Sequence, residues 1–447
     1  MAQRFGAQSQ TMQAGSARMN AAVSGFVARS HARTAALRNF GWLMTDKALA
    51  VVFGLAVFGL IARYYGPAGS GHYAYALALL QSALGLSLVC SASALLPRLC
   101  RLRAGVGATL ANVFVVRMAG SLCAAVVTAI FAVATISDPQ RLLIALIMLF
   151  AVPLIEPFYT AVVFWQSRND NRPPTISRAS GLIARAGVVL VAILLNSPLW
   201  VLAFAWVLEA LTSASLQVAS LKPVGKLREL AKRVSAQRAR AYLRFGVRFL
   251  LGLWLANLFV RLDRLVLGGL LPAQEFGIYA SAMQLVDVWL QVAYLTGFAV
   301  GPAFLYESLA KARPPWTHWR VGMTLAGIGV AGLAVAALFG EAALHLIFGE
   351  AFVGGYPFLV AGTAFGVLLF VDQIVQMKVT ASNRPLALAI KWGSACLAAL
   401  AVQTSMYGSW GAYAGPAGLA VGVVIGWIAV WVTFRASPQT TANGAQP

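Results

Sequence analysis

Long apolar runs, each bounded by polar or charged residues, dominate the pattern of hydrophobic positions along the chain. A helix needs about 20 apolar residues to cross a bilayer core of about 30 Å. The runs are continuous rather than alternating, which favours helices over the strands of a transmembrane barrel. The pattern therefore predicts an all-α polytopic membrane protein with about 12 transmembrane helices in two lobes. The predicted helices cover residues 42–64, 73–96, 111–136, 142–165, 178–196, 199–220, 245–270, 277–304, 320–340, 356–380, 386–406 and 412–434.

A short motif occurs twice, 206 positions apart. Gly71–Ala76 follows the pattern G-x-Y-A-x-A, and Gly277–Ala282 follows it again. A Pro-Ala pair lies just upstream of each copy. Each copy comes after one apolar run and opens the next, so the same helix–turn–helix corner is predicted twice. A period of about half the chain indicates two homologous halves, an arrangement that many secondary transporters share.

Composition and charge support a membrane location. The chain is 60% hydrophobic and 11% charged, with a mean hydropathy of +0.76, whereas soluble domains carry about 25% charged residues. If the N-terminus is cytoplasmic, 27 of the 34 Lys and Arg residues, Lys391 among them, lie at the cytoplasmic side, and only Arg63 and Arg141 lie outside. This asymmetry is typical of membrane topology. The net charge of +21 therefore reflects membrane topology rather than a nucleic-acid site, and it would also favour anionic lipid headgroups near the surface.

The charge pattern also divides the chain. Because each half has an even number of helices, both halves enter the membrane from the same side, and we expect parallel lobes around a central cavity. The linker between them is very basic, either to set topology or partly as a helix on the membrane surface. The predicted parts are a disordered cytoplasmic tail (1–37), a six-helix lobe (38–220), the cytoplasmic linker (221–244), a second six-helix lobe (245–435) and a cytoplasmic tail (436–447).

Enzymatic motifs are missing from the sequence. The predicted external loops are short, and we find no Gly-rich phosphate loop, paired His cluster or nucleophile elbow. We therefore predict no catalytic residues, no metal site and no cofactor, although a gradient of H⁺ or Na⁺ is a candidate energy source.

Ionisable residues inside the predicted helices are the candidate functional residues, because each costs at least about 2.5–3.5 kcal/mol at the bilayer centre. Asn257, Arg261 and Arg264 fall, with Gly268, on one predicted helical face, and paired arginines bind diphosphates well. Arg117 and Arg185 lie about 10 Å into helices that begin at the cytoplasmic side. We predict these five residues to bind substrate, while mutual ion pairing remains the alternative.

Buried carboxylates are candidates for cation coupling. Glu156 stands between Pro153 and Pro157, which should break the fourth helix, and a carboxylate at a helix break can bind a proton or Na⁺. Glu209, Asp287 and Asp372 are further candidates. Pairing with a buried arginine remains the alternative for each.

Three stretches resemble the polysaccharide and O-antigen flippases, a branch of the superfamily that includes multidrug-and-toxin extrusion transporters. They are Ala62–Pro67 before the first corner, Arg261–Gly268 before the second, and Phe164–Gln166 at the end of the fourth helix. The resemblance covers residues 38–435. It implies a bacterial inner-membrane protein that moves an undecaprenyl-diphosphate-linked oligosaccharide to the outer leaflet by alternating access, in lipopolysaccharide, O-antigen or exopolysaccharide biosynthesis. It also implies a basic cavity for the anionic headgroup.

Two other functions fit the same pattern. A cation-coupled multidrug exporter would have an acidic, aromatic pocket and would not need the arginines. A scaffold in a polysaccharide-assembly complex would tolerate changes to any buried charge. We expect both termini to be cytoplasmic and the protein to be a monomer, with a polysaccharide polymerase and a chain-length regulator as candidate partners.

Overall fold

A computed structural model describes the backbone of residues 2–102, 104–225, 227–300, 316–382 and 384–436. Side chains are described from Arg38 onward, apart from a few short stretches. This part of the chain contains helices and short 3-10 turns and no strand. The α-helices are α1 Ala2–Leu86, α2 Ala92–Arg101, α3 Val106–Thr135, α4 Pro139–Leu149, α5 Val152–Ile155, α6 Tyr159–Ser167, α7 Arg172–Leu194, α8 Ala203–Ser220, α9 Leu227–Ala231, α10 Ala236–Phe259, α11 Leu262–Leu270, α12 Ala273–Val300, α13 Trp316–Phe348, α14 Tyr356–Ala381, α15 Pro385–Trp410 and α16 Ala414–Ala436.

The all-α membrane architecture is confirmed. Within the described residues, nine helical stretches are long and apolar enough to cross a bilayer. Two of them, Arg38–Leu86 and Pro385–Arg435, hold 49 and 51 residues. A straight helix of that length would extend about 74 Å, more than twice the bilayer core, and each stretch covers all or most of two predicted helices. The count of 12 stays a prediction, as do the domain boundaries and the two tails.

Some boundaries differ from the prediction. The second predicted helix, 73–96, ends at Leu86, and the chain then turns before α2. The fourth, 142–165, is divided into α4, α5 and α6 around Pro153 and Pro157, as the two prolines predicted. The seventh predicted helix, 245–270, begins earlier than predicted, since α10 starts at Ala236. The last part of the eighth, residues 301–304, lies outside the described residues.

The two predicted corners are both present. Gly66 breaks α1 with φ 69° and ψ −173°, a backbone conformation that favours glycine, and Pro67 begins the second arm of the helix. At the second corner Leu271 is extended, and α12 begins directly after Pro272. The tyrosine of each repeat is buried, and each is hydrogen-bonded within its own half.

The corners pack against each other with glycines at the contact. A Cβ atom at Gly71 would collide with the Ala273 carbonyl oxygen, and one at Gly277 would collide with the Pro67 carbonyl oxygen. Equivalent glycines of the repeat therefore make equivalent contacts with the opposite corner. This reciprocity is what two halves related by a pseudo-twofold axis would produce, and it needs backbones close enough to exclude a methyl group.

Two arginines join the halves at the same end of the molecule. Arg63 donates to carbonyl oxygens at the C-terminus of α13, including that of Ile347 at 3.1 Å. Arg141, which stacks over the Tyr75 ring, donates to the Gly268 carbonyl of α11. The negative end of a helix dipole favours a cation at these positions. The two basic residues that the predicted topology places outside are thus contacts between the lobes.

The glycine contact can be tested with Gly277→Ala. The added methyl group must push apart the Gly277 and Pro67 backbones, and we expect it to lower the stability by at least about 1–3 kcal/mol, the usual cost of overpacking. The measurement is the thermal unfolding midpoint of the purified protein in detergent. Gly269→Ala is the matched control, because Gly269 has no neighbour within 4 Å of its Cβ position. Equal midpoints for the two variants would contradict the packing argument.

Candidate functional site

The predicted seventh helix is two helices, which corrects the expectation of one continuous polar face. α10 ends at Phe259, Arg261 N–H donates to Leu258 O at 2.9 Å, and α11 begins at Leu262. The tighter turn changes the rotation between Asn257 and the residues after it, so a uniform 3.6-residue period does not describe this stretch. Periodicity in the sequence carries no signal for such a local change of hydrogen bonding.

Arg261 and Arg264 share one carboxylate. Arg261 is ion-paired with one oxygen of Asp287, and Arg264 donates to the other at 3.0 Å. Arg264 also donates to the Met283 carbonyl at 3.2 Å. The adjacent Asp263 is fully buried and accepts a hydrogen bond from Tyr279 Oη at 2.6 Å. The two arginines are therefore brought together at Asp287, and their contacts are those of the pairing alternative.

A second buried ion pair joins α14 to α15. Lys391 Nζ lies 2.8 Å from Asp372 Oδ2, and Lys391 is 1% exposed. Trp427 Nε1 donates to the other carboxylate oxygen of Asp372 at 2.7 Å. Gln376 Oε1 accepts hydrogen bonds from Lys391 and Trp392, both at 3.1 Å. Both oxygens of Asp372 and the Lys391 ammonium are thus satisfied inside the second lobe.

Lys391 is the functional candidate that the sequence analysis missed. The topology count placed it at a cytoplasmic helix end, whereas the structure buries it in the second lobe. One signal was available. Lys391 lies six positions after Pro385, the first residue of α15, a depth close to that of Arg117 and Arg185 in their predicted helices. A depth criterion applied to every basic residue would have found it.

A cavity of about 260 Å³ adjoins both ion-pair groups in the second lobe, and we call it the C-lobe cavity. Three predicted residues from different parts of the sequence line it: Asn257, Arg261 and Asp372. Asn257 donates to its own helix at Leu253 O, 2.9 Å away. The other lining residues are Ala256, Val260, Tyr294, Leu369, Gln373, Gln376 and Trp392. Five of these ten lining residues carry polar or charged side chains and two are aromatic, which suits a ligand with a polar or charged group.

Arg117 is buried in the first lobe against the broken fourth helix. It is 0% exposed, and it donates to the carbonyl oxygens of Cys90 at 3.2 Å and Glu156 at 3.1 Å. Its remaining nitrogen lies 3.8 Å from Glu156 Oε2, and neither of these two atoms has a hydrogen-bond partner among the described residues. The break at Pro153 and Pro157 frees the Glu156 carbonyl to accept from Arg117. The pair thus keeps one incompletely satisfied carboxylate oxygen.

Arg185 and Glu209 form a second pair in the first lobe. The Arg185 guanidinium lies 2.8 Å from Glu209 Oε2 and 4.4 Å from the Trp206 ring centre. Trp206 Nε1 donates to Tyr73 Oη at 2.9 Å, which connects this pair to the first repeat tyrosine. Arg117, Glu156, Arg185 and Glu209 do not line the C-lobe cavity. The structure therefore does not gather all the predicted residues in one place.

The fully buried charges of the described residues balance. Arg117, Arg185, Arg264 and Lys391 supply four positive charges, and Glu156, Asp263, Asp287 and Asp372 supply four negative ones, while Arg261 and Glu209 are half-buried partners of this set. A buried charge is tolerated when it is paired and hydrogen-bonded. Arg261 is the guanidinium that differs, because its side chain is 20% exposed whereas that of Arg264 is 6% exposed. Within the described residues, no three His, Cys, Asp or Glu side chains group as metal ligands.

The fold and the site define a class of protein. A helical membrane bundle with repeated corners, buried ion pairs and a polar cavity has the organisation of a membrane transporter.

Sequence and structure comparisons agree with that class. The sequence profile of the family described as "Polysaccharide biosynthesis protein" matches residues 36–305. The chain therefore belongs to the polysaccharide biosynthesis protein family, as the resemblance of its repeated corner predicted. No protein among the curated sequences matches.

Several solved structures of membrane proteins share the fold. The lipid II flippase MurJ, in an inward closed conformation, is similar with a TM-score of 0.67 and 12% identity, over 88% of this chain and 87% of that one. An inward-facing multidrug resistance transporter of the MATE family is similar with a TM-score of 0.60 and 15% identity, over 89% of this chain and 96% of that one. A MOP superfamily transporter from Pyrococcus furiosus, described as having a binding pocket of reversed polarity, is similar with a TM-score of 0.52 and 15% identity, over 90% of this chain and 94% of that one.

The Lys391–Asp372 pair provides a test of buried-charge balance. Lys391→Met leaves Asp372 buried without its cation, and we expect a loss of about 3–5 kcal/mol in stability, measured as a lower thermal midpoint and less folded protein in the membrane. Lys378→Met, at an exposed position of α14, should change little. The double variant Lys391→Met with Asp372→Asn keeps an acceptor for Trp427 and should recover most of the stability. A double variant as unstable as the single one would contradict pairing as the cause.

Proposed function

We propose that the protein is a flippase that moves an undecaprenyl-diphosphate-linked oligosaccharide from the inner to the outer leaflet of the bacterial inner membrane. The observation that carries the proposal is the partly exposed Arg261 guanidinium beside Asn257 in the C-lobe cavity of a chain from the polysaccharide biosynthesis family. The fold shared with a protein named as a lipid II flippase supports a lipid-linked substrate. The product would enter O-antigen, lipopolysaccharide or exopolysaccharide synthesis.

The physical requirement is replacement of water around a diphosphate. A diphosphate cannot enter hydrocarbon without partners that substitute for its hydration. A guanidinium offers a planar pair of donors that matches phosphate oxygens. Arg261 is held by one carboxylate, Asp287, which has a second partner in Arg264. A substrate phosphate can therefore replace Asp287 as the partner of Arg261, while Asp287 stays paired with Arg264. The lipid tail can remain in the bilayer as the sugar passes between the lobes.

Arg261→Gln tests this assignment. We expect transport to fall at least about tenfold, since a hydrogen bond to a charged group contributes about 1.5–3 kcal/mol. The measurement is surface glycan in a deletion strain that carries the variant, together with the leaflet in which the lipid-linked unit accumulates. Stability should change little, because Arg264 still pairs Asp287.

Arg435→Gln is the matched control, because Arg435 is exposed, stacks over Trp431 and does not line the C-lobe cavity. Normal surface glycan in a stably expressed Arg261→Gln strain would overturn the substrate assignment. Loss of glycan in both variants would show that the effect is not specific to the C-lobe cavity.

Cation coupling is the second part of the proposal. Glu156, Glu209, Asp287 and Asp372 are the candidates, and H⁺ and Na⁺ are the candidate ions. Glu156 is favoured by its carboxylate oxygen, which is buried and has no hydrogen-bond partner among the described residues, and by the helix break that holds it. A group that binds a cation better in one conformation than in the other couples the gradient to transport.

Glu156→Gln should remove the dependence of transport on the gradient. In proteoliposomes that carry an imposed proton or sodium gradient, we expect the wild type to respond to one of the two and the variant to respond to neither. Exchange without a gradient should persist, because glutamine keeps the shape of the side chain. Glu341→Gln, on an exposed part of α13, is the control. A gradient response that survives in Glu156→Gln would assign coupling to another carboxylate.

A cation-coupled multidrug exporter is the second candidate function. Tyr294, Trp392 and Asp372 also line the C-lobe cavity, and aromatic rings with a carboxylate suit an organic cation. The Arg261→Gln experiment separates the two functions, because drug export does not require that arginine. A scaffold would tolerate Arg261→Gln and Glu156→Gln alike.

We expect the flippase to act as a monomer. Its candidate partners are a polysaccharide polymerase and a chain-length regulator.

A further inference from the structure

A second cavity lies in the first lobe, under the basic linker, and we call it the linker-side cavity. Its volume is about 250 Å³, close to that of the C-lobe cavity, but its lining is almost entirely apolar. The walls come from α3, α6, α8 and α9 and from the turn before α6, and none of the lining residues belongs to the C-lobe cavity. They are Leu110, Ala111, Phe114, Val115, Pro157, Phe158, Thr160, Ala161, Val218, Leu221, Leu230, Ala231 and Val234.

Specific contacts hold the linker over this cavity. Asn112, fully buried in α3, donates to Arg233 O at 3.2 Å and accepts from Ser235 N–H at 2.9 Å. Leu230 is buried against Gly107, where a Cβ atom would lie 2.9 Å from the leucine and 3.0 Å from the Arg233 guanidinium. The linker residues that cover the cavity are thus packed against the first lobe and held there by hydrogen bonds.

The break in the fourth helix forms the other wall. Pro157 and Phe158 lie in the turn between α5 and α6, and the Phe158 ring meets Phe114 edge-on at 5.2 Å. Val115 and Val234 line the cavity and are also exposed, so it reaches the outer surface of the protein. An apolar chain can therefore enter from the side, whereas a sugar would find almost no hydrogen-bond partners.

The rim of the cavity is strongly basic. Lys222, Arg228, Lys232 and Arg233 are exposed on the linker segments that contribute Leu221, Leu230, Ala231 and Val234 to the lining, and Glu229 is the one acidic residue in residues 221–244. Topology places this segment at the cytoplasmic face, where lipid phosphates lie. An apolar slot below a cluster of exposed cations matches an anionic amphiphile, with its chain inside and its headgroup at the rim.

We propose that the linker-side cavity binds an acyl chain of an anionic phospholipid of the cytoplasmic leaflet, with the headgroup phosphate held by Lys232, Arg233 and their basic neighbours. The site is separate from the C-lobe cavity, so the proposal does not depend on flippase activity. The bound lipid would fasten the linker to the first lobe, since α9 and the residues after it supply both the roof and the cations.

The test measures lipid binding to the full-length, delipidated protein in detergent. Native mass spectrometry and the thermal midpoint are followed during titration with phosphatidylglycerol or with phosphatidylcholine of the same acyl chains. We expect tighter binding of phosphatidylglycerol and a rise in midpoint with that lipid alone. Lys232→Gln with Arg233→Gln should weaken phosphatidylglycerol binding by about fivefold for each charge removed and leave phosphatidylcholine binding unchanged.

Ala231→Phe tests the apolar slot separately. Ala231 lines the cavity and is exposed, so a phenylalanine can fill the slot, and we expect phosphatidylglycerol binding to fall by at least about tenfold, the effect of losing 1.4 kcal/mol. Ala241→Phe is the matched control, because Ala241 is exposed on α10 and outside the lining. If Ala231→Phe does not fold, the double glutamine variant decides the question.

Several results would overturn the proposal. Equal binding of the two lipids would remove the role of the basic rim, and unchanged binding in Ala231→Phe would remove the role of the slot. Stabilisation by inorganic phosphate alone, to the level reached with phosphatidylglycerol, would indicate an anion site without a chain. Displacement of phosphatidylglycerol by undecaprenyl phosphate at equal or lower concentration would assign the cavity to the polyprenyl chain of the substrate instead.

Discussion

The cost of removing an ionised side chain from water governs the interior of this protein. An unpaired ion in a medium of low dielectric is far less stable than a paired one, and each buried arginine or lysine in the described lobes has a carboxylate beside it. The helix breaks follow the same constraint. The turn before Glu156 presents a carbonyl to Arg117, and the turn at Arg261 allows α11 to bury Asp263 against Tyr279. At these two positions the helix is interrupted, and the interruption provides a partner for a buried charge.

Contact between the lobes depends on a different property, the absence of side chains. Gly71 and Gly277 let the corners approach until each touches the backbone of the other. Arg63 and Arg141 then fasten the same end through carbonyl groups at helix C-termini. Hydrogen bonds of this kind can be broken and re-formed without leaving a charge buried in hydrocarbon, whereas the ion pairs lie inside single lobes. The division suits a protein whose lobes move as rigid bodies.

The two cavities lie in different lobes and have opposite chemistry. The C-lobe cavity offers Arg261, Asn257 and Asp372, and the linker-side cavity offers hydrocarbon walls under an exposed basic rim. A lipid-linked glycan and a membrane phospholipid both combine an anionic group with an apolar chain. The C-lobe cavity matches the anionic group, whereas the linker-side cavity matches the chain with its walls and the anionic group with its rim. The chemistry of the walls, rather than volume, distinguishes what each cavity can hold.

The sequence by itself determined the helical membrane architecture, the repeated corner, the family and most of the residues that carry buried charge, Lys391 excepted, because hydropathy and turn chemistry are local properties. Only the tertiary structure decided which charges meet. Asp287 lies 26 positions after Arg261, and Lys391 lies 19 after Asp372, separations that no periodicity encodes. The helix break at Arg261 could likewise not be predicted from the sequence, because it depends on contacts with another helix. Pairing depends on how helices pack in three dimensions, and packing is settled by the whole bundle at once.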